Sequence, residues 1–374
     1  MIYLDNAATS FYKPQIVQDT VKDSLNKYTA NPGRSGHDLS YMVAEKVFET
    51  REKLKQFFNA KEHEVIFTKN CTEALNMAIL GFLRPGDHVI TTCYEHNSVL
   101  RPLQFLKSNG VEVTILDCDL DKVAQLIEQE IKHNTKLIIT TCVSNVTGDC
   151  CDIKSVGQIC KKHKITYLVD GAQSSGHMQI DLQKCDVDMY AFAGHKGLLS
   201  ITGVGGLLVK NDIKLSPIMF GGTGTDSINL VQPTEYPEGF ESGTIATIPI
   251  LSLSAGLDFL IKNFDKIQKK EEKLTKYCYF ALKKLDFLKI YSKENAKNVI
   301  TFNIKNINSS TVANMLNENF KICVRAGLHC APLVHKKLGT QQTGSVRVSL
   351  DFMNTEKDIQ ALVNALVTIN QQNS

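Results

Sequence analysis

The sequence predicts an α/β fold: a large unit on a mostly parallel sheet, followed by a smaller α+β unit. Three observations carry this. Apolar runs of strand length alternate with helical spacing between residues 64 and 209. Several runs, such as 165–169 and 187–192, show no polar alternation, as expected when helices cover both faces of a sheet. After Thr244 the pattern changes to a long Lys- and Glu-rich helix and short, separated strands.

Taken in order, residues 1–12 read as a segment lining a cleft. A short strand runs into Leu4-Asp5-Asn6-Ala7-Ala8-Thr9-Ser10, whose small and amide residues suit that role and equally suit an ordinary turn. Pro14 opens a helix at the position proline tolerates. Asn31-Pro32-Gly33-Arg34-Ser35-Gly36 is a candidate mobile loop over a site. Residues 41–58 have helical spacing through Val43, Val47, Leu54 and Phe58. Strands follow at 64–68, 87–92, 111–116, 136–141, 165–169, 187–192 and 204–209. Helices follow the first two, reaching Leu83 and Leu106. The large unit is placed at 13–250 and the smaller at 251–374. The latter holds a helix to about Leu285, strands at 299–304, 322–325 and 345–349, and helices at 309–318 and 355–369.

Composition narrows the function classes. Apolar content of 43% with 22% charge is ordinary for a globular chain of 374 residues, and a net charge of +3 argues against nucleic acid and anionic membranes as partners. No apolar run approaches the roughly 20 residues of a membrane span. The amino terminus lacks a basic n-region, so a signal peptide is not expected. Eleven scattered cysteines, with no C-x-x-C pair, suggest reduced thiols in a cytoplasmic protein and no metal site.

In parallel sheets ligands sit beyond the carboxyl ends of the strands, where this chain places its polar clusters. One is Ala193-Gly194-His195-Lys196-Gly197, which alone also reads as a surface lysine after a strand. Upstream, the strand 165–169 ends in Asp170-Gly171-Ala172-Gln173. Strand, acid, strand, lysine is what pyridoxal phosphate (PLP) needs: a lysine for the aldehyde carbon and a carboxylate to keep the ring nitrogen protonated. Cys71-Thr72, between a strand and a helix, reads either as a phosphate site or as a helix cap. His96 reads as a ring-stacking, proton-moving group or as polar packing. Asn145 reads as a donor to a ring oxygen or substrate carboxylate, or as a turn residue. Cys330 follows a glycine-bearing turn, and positive charge at His329 and Arg325 is expected to favour its thiolate; a buried structural thiol is the alternative. Arg347, on an otherwise apolar strand, needs an anion if it points inward.

With these residues in place, the chain resembles the class V aminotransferase family of fold-type I PLP enzymes, and within it the group II cysteine desulfurases. The likeness runs from L-D-N-A-A-T-S to S-V-R-V-S-L and includes R-x-G-x-H-C around Cys330. The resemblance implies that Lys196 carries PLP as a Schiff base, Asp170 pairs with the ring nitrogen, His96 stacks on the ring and Gln173 bonds its phenolic oxygen. It implies that Cys71, Thr72 and His195 hold the phosphate, with Thr244 reaching the partner subunit of a homodimer. Asn145 and Arg347 would grip the carboxylate of L-cysteine, and Cys330 would take its sulfur and pass it to an acceptor protein. L-selenocysteine lyase activity, another class V reaction, and a non-catalytic binding or regulatory role are the alternatives. Iron–sulfur assembly, tRNA thiolation and selenium handling are the pathways such an enzyme serves. Three positions depart from many relatives: Ala193 for serine or threonine, Ser200-Ile201 for Gly-Pro, and Thr244-Ile245-Ala246 for T-P-N.

Overall fold

The computed structural model describes residues 1–33, 36–225 and 227–373. Arg34 and Ser35, part of the expected mobile loop, lie outside the described residues.

The chain opens with β1 (Ile2–Tyr3), α1 (Gln15–Lys27) and α2 (Asp38–Phe57). Pro14 caps α1 rather than entering it. Then come β2 (His63–Thr68), α3 (Cys71–Phe82), β3 (His88–Thr92), α4 (Asn97–Lys107), β4 (Glu112–Leu116) and α5 (Val123–Glu130). They are followed by β5 (Thr135–Thr141), α6 (Ile153–His163), β6 (Thr166–Asp170), β7 (Met189–Ala193) and β8 (Gly205–Lys210). The remainder is α7 (Thr247–Lys283), β9 (Leu288–Ile290), β10 (Val299–Ile304), α8 (Ser309–Phe320), β11 (Ile322–Cys323), β12 (Arg325–Gly327), α9 (Pro332–Leu338), β13 (Ser345–Ser349) and α10 (Glu356–Asn373). Short elements such as β9 and α9 carry no assignment from sequence, because three and seven residues are too few to show a period.

Seven strands form the central sheet in the order β2-β8-β7-β6-β5-β3-β4. Only β8 runs antiparallel to its neighbours. The unbroken apolar runs are explained by the pleat. In β7, Tyr190 and Phe192 enter one apolar core, while Met189 and Ala191 enter the other.

A second sheet, β12-β13-β10-β9, is antiparallel throughout. Its core includes Phe302, Val346 and Val348, Leu316 of α8, and Leu362 and Leu366 of α10. Leu4 is buried in this C-terminal core, since β1 pairs in parallel with β11. Helix α7 spans 37 residues, roughly 55 Å at the α-helical rise. Its first half puts Ile250, Leu253 and Leu257 into the core of the large sheet; its second half puts Leu274, Cys278 and Leu282 into the C-terminal core. The division at 250/251 thus falls inside a continuous helix. Pro249 sits in the first turn of α7, where proline is tolerated, and nothing later breaks the helix before Lys283.

Candidate active site

The carboxyl ends of β2, β5, β6 and β7, with the loop after β3, surround one cleft. Cys71, Thr72, His96, Asn145, Asp170, Gln173, His195 and Lys196 all line it. A larger cavity, about 550 Å³, lies at the opposite end of the sheet. There Lys161 pairs with Asp186 at 2.7 Å and Lys210 with Asp188 at 2.9 Å, which leaves it little chemistry to offer.

Lys196 stands on a tight turn closed by Ser200 N to Gly194 O (3.0 Å) and Leu199 N to Lys196 O (2.9 Å). Its amine makes no hydrogen bond among the described residues. Desolvation pulls its pKa below the ordinary lysine value, against the opposing pull of Asp170. Asp170 is 4% exposed and ends β6. Its Oδ1 accepts from Ala172 N at 2.9 Å and from the Cys71 thiol at 3.6 Å. Its Oδ2 takes no hydrogen bond among the described residues. Burial raises the Cys71 thiol well above its ordinary range, so it faces Asp170 as a donor, not as an anion. Any anion held at this residue must use its backbone N–H, which as the first of α3 has no carbonyl inside the helix.

His96 caps α4. Its Nδ1 accepts from Ser98 N at 3.1 Å and contacts Ser98 Oγ at 2.8 Å. That hydroxyl is 2.8 Å from Thr72 Oγ1, so one chain of contacts joins His96 to the start of α3. With Nδ1 accepting, the ring proton belongs on Nε2. Desolvation lowers the pKa of His96, leaving it neutral at pH 7. Beside it, Glu95 Oε1 accepts from Thr92 Oγ1 (2.7 Å) and Thr141 N (2.9 Å), tying β3 to β5; burial pushes its pKa up to about 8.

The N-terminal segment closes one side. Ser10 N, Ser10 Oγ and Thr9 Oγ1 all donate to the His195 carbonyl at 3.1 Å. Gln173 Nε2 donates to Ala7 O at 2.9 Å. The His195 ring is kept neutral by burial, with a pKa of about 4, and its buried Nδ1 has no partner among the described residues.

The C-terminal sheet supplies the other side. Arg347 is 1% exposed; its Nη1 donates to Asn145 O and its Nη2 to Asp5 Oδ1, both at 2.9 Å. It points inward, the alternative in which an anion is needed. Asn145 Nδ2 donates to His329 O at 2.7 Å. His329 corrects an expectation. It is 4% exposed, its Nε2 bonds Ser345 O at 3.1 Å, and burial lowers its pKa to about 2. A neutral ring brings no positive charge to Cys330. Cys330 itself is exposed, on the loop between β12 and α9, where His329 (φ 49°) and Cys330 (φ 58°) are both left-handed. Its carbonyl accepts from Asn97 N at 2.7 Å, which docks the loop on the first residue of α4, beside His96. Cys330, His96, Thr72 and Arg101 line one groove. Thr244 lines a different cavity, with Phe67, Met219 and Glu241.

One departure from the common pattern, Ser200-Ile201, has a local answer at each residue. Ile201 N donates to Ser252 Oγ at 3.2 Å, a bond proline cannot make, and Ser252 Oγ donates to Pro249 O at 2.7 Å. Ser200 Oγ turns back onto Ile201 O at 2.8 Å. Asp5 and Ser98 were missed from sequence as site residues. Asp5 lay inside the singled-out L-D-N-A-A-T-S stretch, but no local pattern joins it to an arginine 342 positions away.

This donor set fits PLP. The unpaired amine of Lys196 suits its aldehyde, the free Oδ2 of Asp170 its ring nitrogen, and the α3 N-terminus with Thr72 and His195 its phosphate. A class V aminotransferase family model matches residues 2–362. The chain belongs to the class V aminotransferase family. This class V chain is 35% identical to a protein named probable cysteine desulfurase from Methanothermobacter thermautotrophicus, over 98% of this chain and 94% of that one. It is 32% identical to one of the same name from Staphylococcus aureus, over 98% of this chain and 91% of that one. Among solved structures, the apo cysteine desulfurase of Thermococcus onnurineus NA1 superposes with a TM-score of 0.90 at 33% identity, covering 98% of this chain and 94% of that one. The cysteine desulfurase CsdA of Escherichia coli gives 0.87 at 27%, covering 99% and 94%.

Proposed function

We propose that this protein is a PLP-dependent cysteine desulfurase that converts L-cysteine to L-alanine and leaves the sulfur as a persulfide on Cys330. The observation that carries it is the docking of the Cys330 loop on α4 by Asn97 N, which sets the only exposed cysteine among the eleven beside His96 and the Lys196 cleft. When bound, PLP draws electrons from the substrate α-carbon into its ring.

The chain's own residues do the rest. Arg347 and Asn145 orient the substrate carboxylate, which fixes the α-hydrogen toward Lys196. Lys196, its amine made less basic by burial, is set to hold the α-proton at Nζ and return it. Asp170, whose Oδ2 takes no hydrogen bond among the described residues, would pair with the ring nitrogen. The neutral His96 offers Nε2–H on the cleft side. The Cys330 thiolate attacks the substrate sulfur; the S–S bond forms as the substrate C–S bond breaks, the bonding pair stays with the carbon, and that carbon takes a proton, in net terms the one lost by the substrate thiol, to become the alanine methyl. An acceptor thiol then takes the terminal sulfur.

Further parts of the reading are a homodimer, Thr244 serving the partner's site, units at 13–250 and 251–374 with 1–12 lining the cleft, and a cytoplasmic setting. Exposed Phe220, Ile228, Leu230 and Val231, on the chain leading to Thr244, support a second copy as a partner. Eleven unpaired cysteines suit a reducing compartment. Among the described residues, no helix is long and apolar enough to cross a membrane.

The test is L-cysteine turnover by wild type, Cys330→Ala and Lys196→Ala, following alanine, sulfide and the visible spectrum. Wild type is expected to be yellow and to form alanine; Cys330→Ala loses sulfur transfer and Lys196→Ala loses the colour. Preferred turnover of L-selenocysteine would move the assignment to a lyase. A colourless wild type that PLP cannot load would end it.

A further inference from the structure

The turn that carries Lys196 rests on a buried polar cluster that neither Lys196, Asp170 nor Cys330 belongs to. A methyl placed on Gly197 would lie 2.3 Å from Ser175 O, 2.7 Å from His177 Cδ2 and 2.8 Å from His177 Nε2. A methyl on Gly176, which has φ 86°, would lie 2.1 Å from Gly197 O. The His177 ring and the 175–176 backbone are therefore in close contact with the peptide following Lys196.

The far side of the same ring is also held. His177 Nδ1 is 3.0 Å from Glu271 Oε2 and 2.7 Å from Asn298 Nδ2; Asn298 Nδ2 donates to Glu271 Oε2 at 2.7 Å. Glu271 is 2% exposed and lies on α7; Asn298 is 8% exposed and immediately precedes β10. The Asn298 carbonyl accepts from Leu350 N at 2.9 Å, just beyond the strand of Arg347. One cluster thus touches the lysine turn, the helix shared by both cores, and the sheet that presents the arginine.

We propose that His177, held by Glu271 and Asn298, is a positioning residue for Lys196: it supports the Gly197 peptide from behind and registers the lysine against the sheet that carries Arg347. This rests on reading Lys196 as the cofactor lysine. Burial alone would lower the pKa of His177, but Glu271 outweighs it and the net shift is upward. The charged groups facing the ring are Glu271, Asp351 and Lys196, and a protonated His177 repels a proton on Lys196.

The experiment compares PLP-loaded wild type with His177→Gln, Glu271→Gln and Asn298→Ala. It reads kcat and KM for L-cysteine and the pH midpoint of the visible absorbance that depends on Lys196. His177→Gln is expected to lower kcat about tenfold with KM within about twofold, since a small misplacement acts on the reacting groups. His177→Gln is expected to raise the spectral midpoint by about 0.5 pH unit or more, because it removes a ring whose protonation Glu271 favours and leaves that carboxylate behind Lys196. Asn298→Ala keeps both ionisable partners, so it serves if the others fail to fold; a fall in kcat of about threefold or more supports the proposal. Melting temperatures that fall while kcat and the midpoint stay at wild-type values would overturn it, reducing the cluster to packing. A wild type without a Lys196-dependent chromophore would overturn the parent reading, and this one with it; a normal wild-type chromophore with unmoved variants overturns this one alone.

Discussion

Asp5 Oδ1 sits 2.9 Å from Arg347 Nη2, so the arginine proposed to hold the substrate carboxylate already faces a carboxylate from the other end of the chain. Tyr3 fixes the segment by donating to Asp5 O (3.2 Å) and Thr9 O (3.1 Å), and Asp5 forms a bridge with Ser349. Burial works against the charge of Arg347 and lowers its pKa, while Asp5 opposes that pull. Asp5→Asn keeps the acceptor and removes the competing charge, so KM for L-cysteine should fall by about threefold. Asp5→Ala loses the orienting bond as well and should raise KM. An increase in both variants would show that the charge itself is needed for binding.

Ser98 joins His96 to Thr72 through one hydroxyl. Ser98→Ala breaks both contacts but keeps the backbone N–H that holds His96 Nδ1. Affinity for PLP should weaken by about 1 kcal/mol, roughly fivefold, in a spectrophotometric titration. Unchanged affinity would mean that Thr72 contributes without Ser98.

Ile201→Pro restores the residue common among relatives and deletes the Ile201 N to Ser252 bond. It should destabilise the chain by about 1 kcal/mol, with an unchanged urea m-value. If Ile201→Pro stabilises the protein, the rigidity of proline outweighs that bond.

Two partly or fully desolvated histidines predict acid sensitivity. Burial lowers both His195 and His335 from 6.5 to about 4. Between those values the unfolded chain binds more protons than the folded one. Their contribution is therefore complete above pH 6.5 and is lost as pH falls through about 4. Melting temperature should drop across that window. His335→Gln should flatten part of the drop. His335 is fully buried and contacts Thr340 Oγ1 at 2.8 Å, so baseline stability must be compared at pH 7.

The longer strands in their order, the strand-end placement of Lys196, Asp170 and His96, and the need of Arg347 for an anion if it pointed inward were legible along the chain. Each is a local matter: a period, a glycine-flanked turn, or a charge in an apolar run must be answered within a few residues. The partners of those groups were not legible. Asp5 with Arg347, Asn97 with Cys330, and His177 with Glu271 and Asn298 are joined by burial across distant segments. The charge on His329 was misjudged for the same reason: sequence shows a histidine beside a cysteine, while only packing decides whether its ring is dry and neutral. Local sequence determined which side chains are offered at the strand ends. The tertiary structure decided which of them meet and in what ionisation state, because desolvation and pairing depend on everything packed around a group, not on its neighbours in the chain.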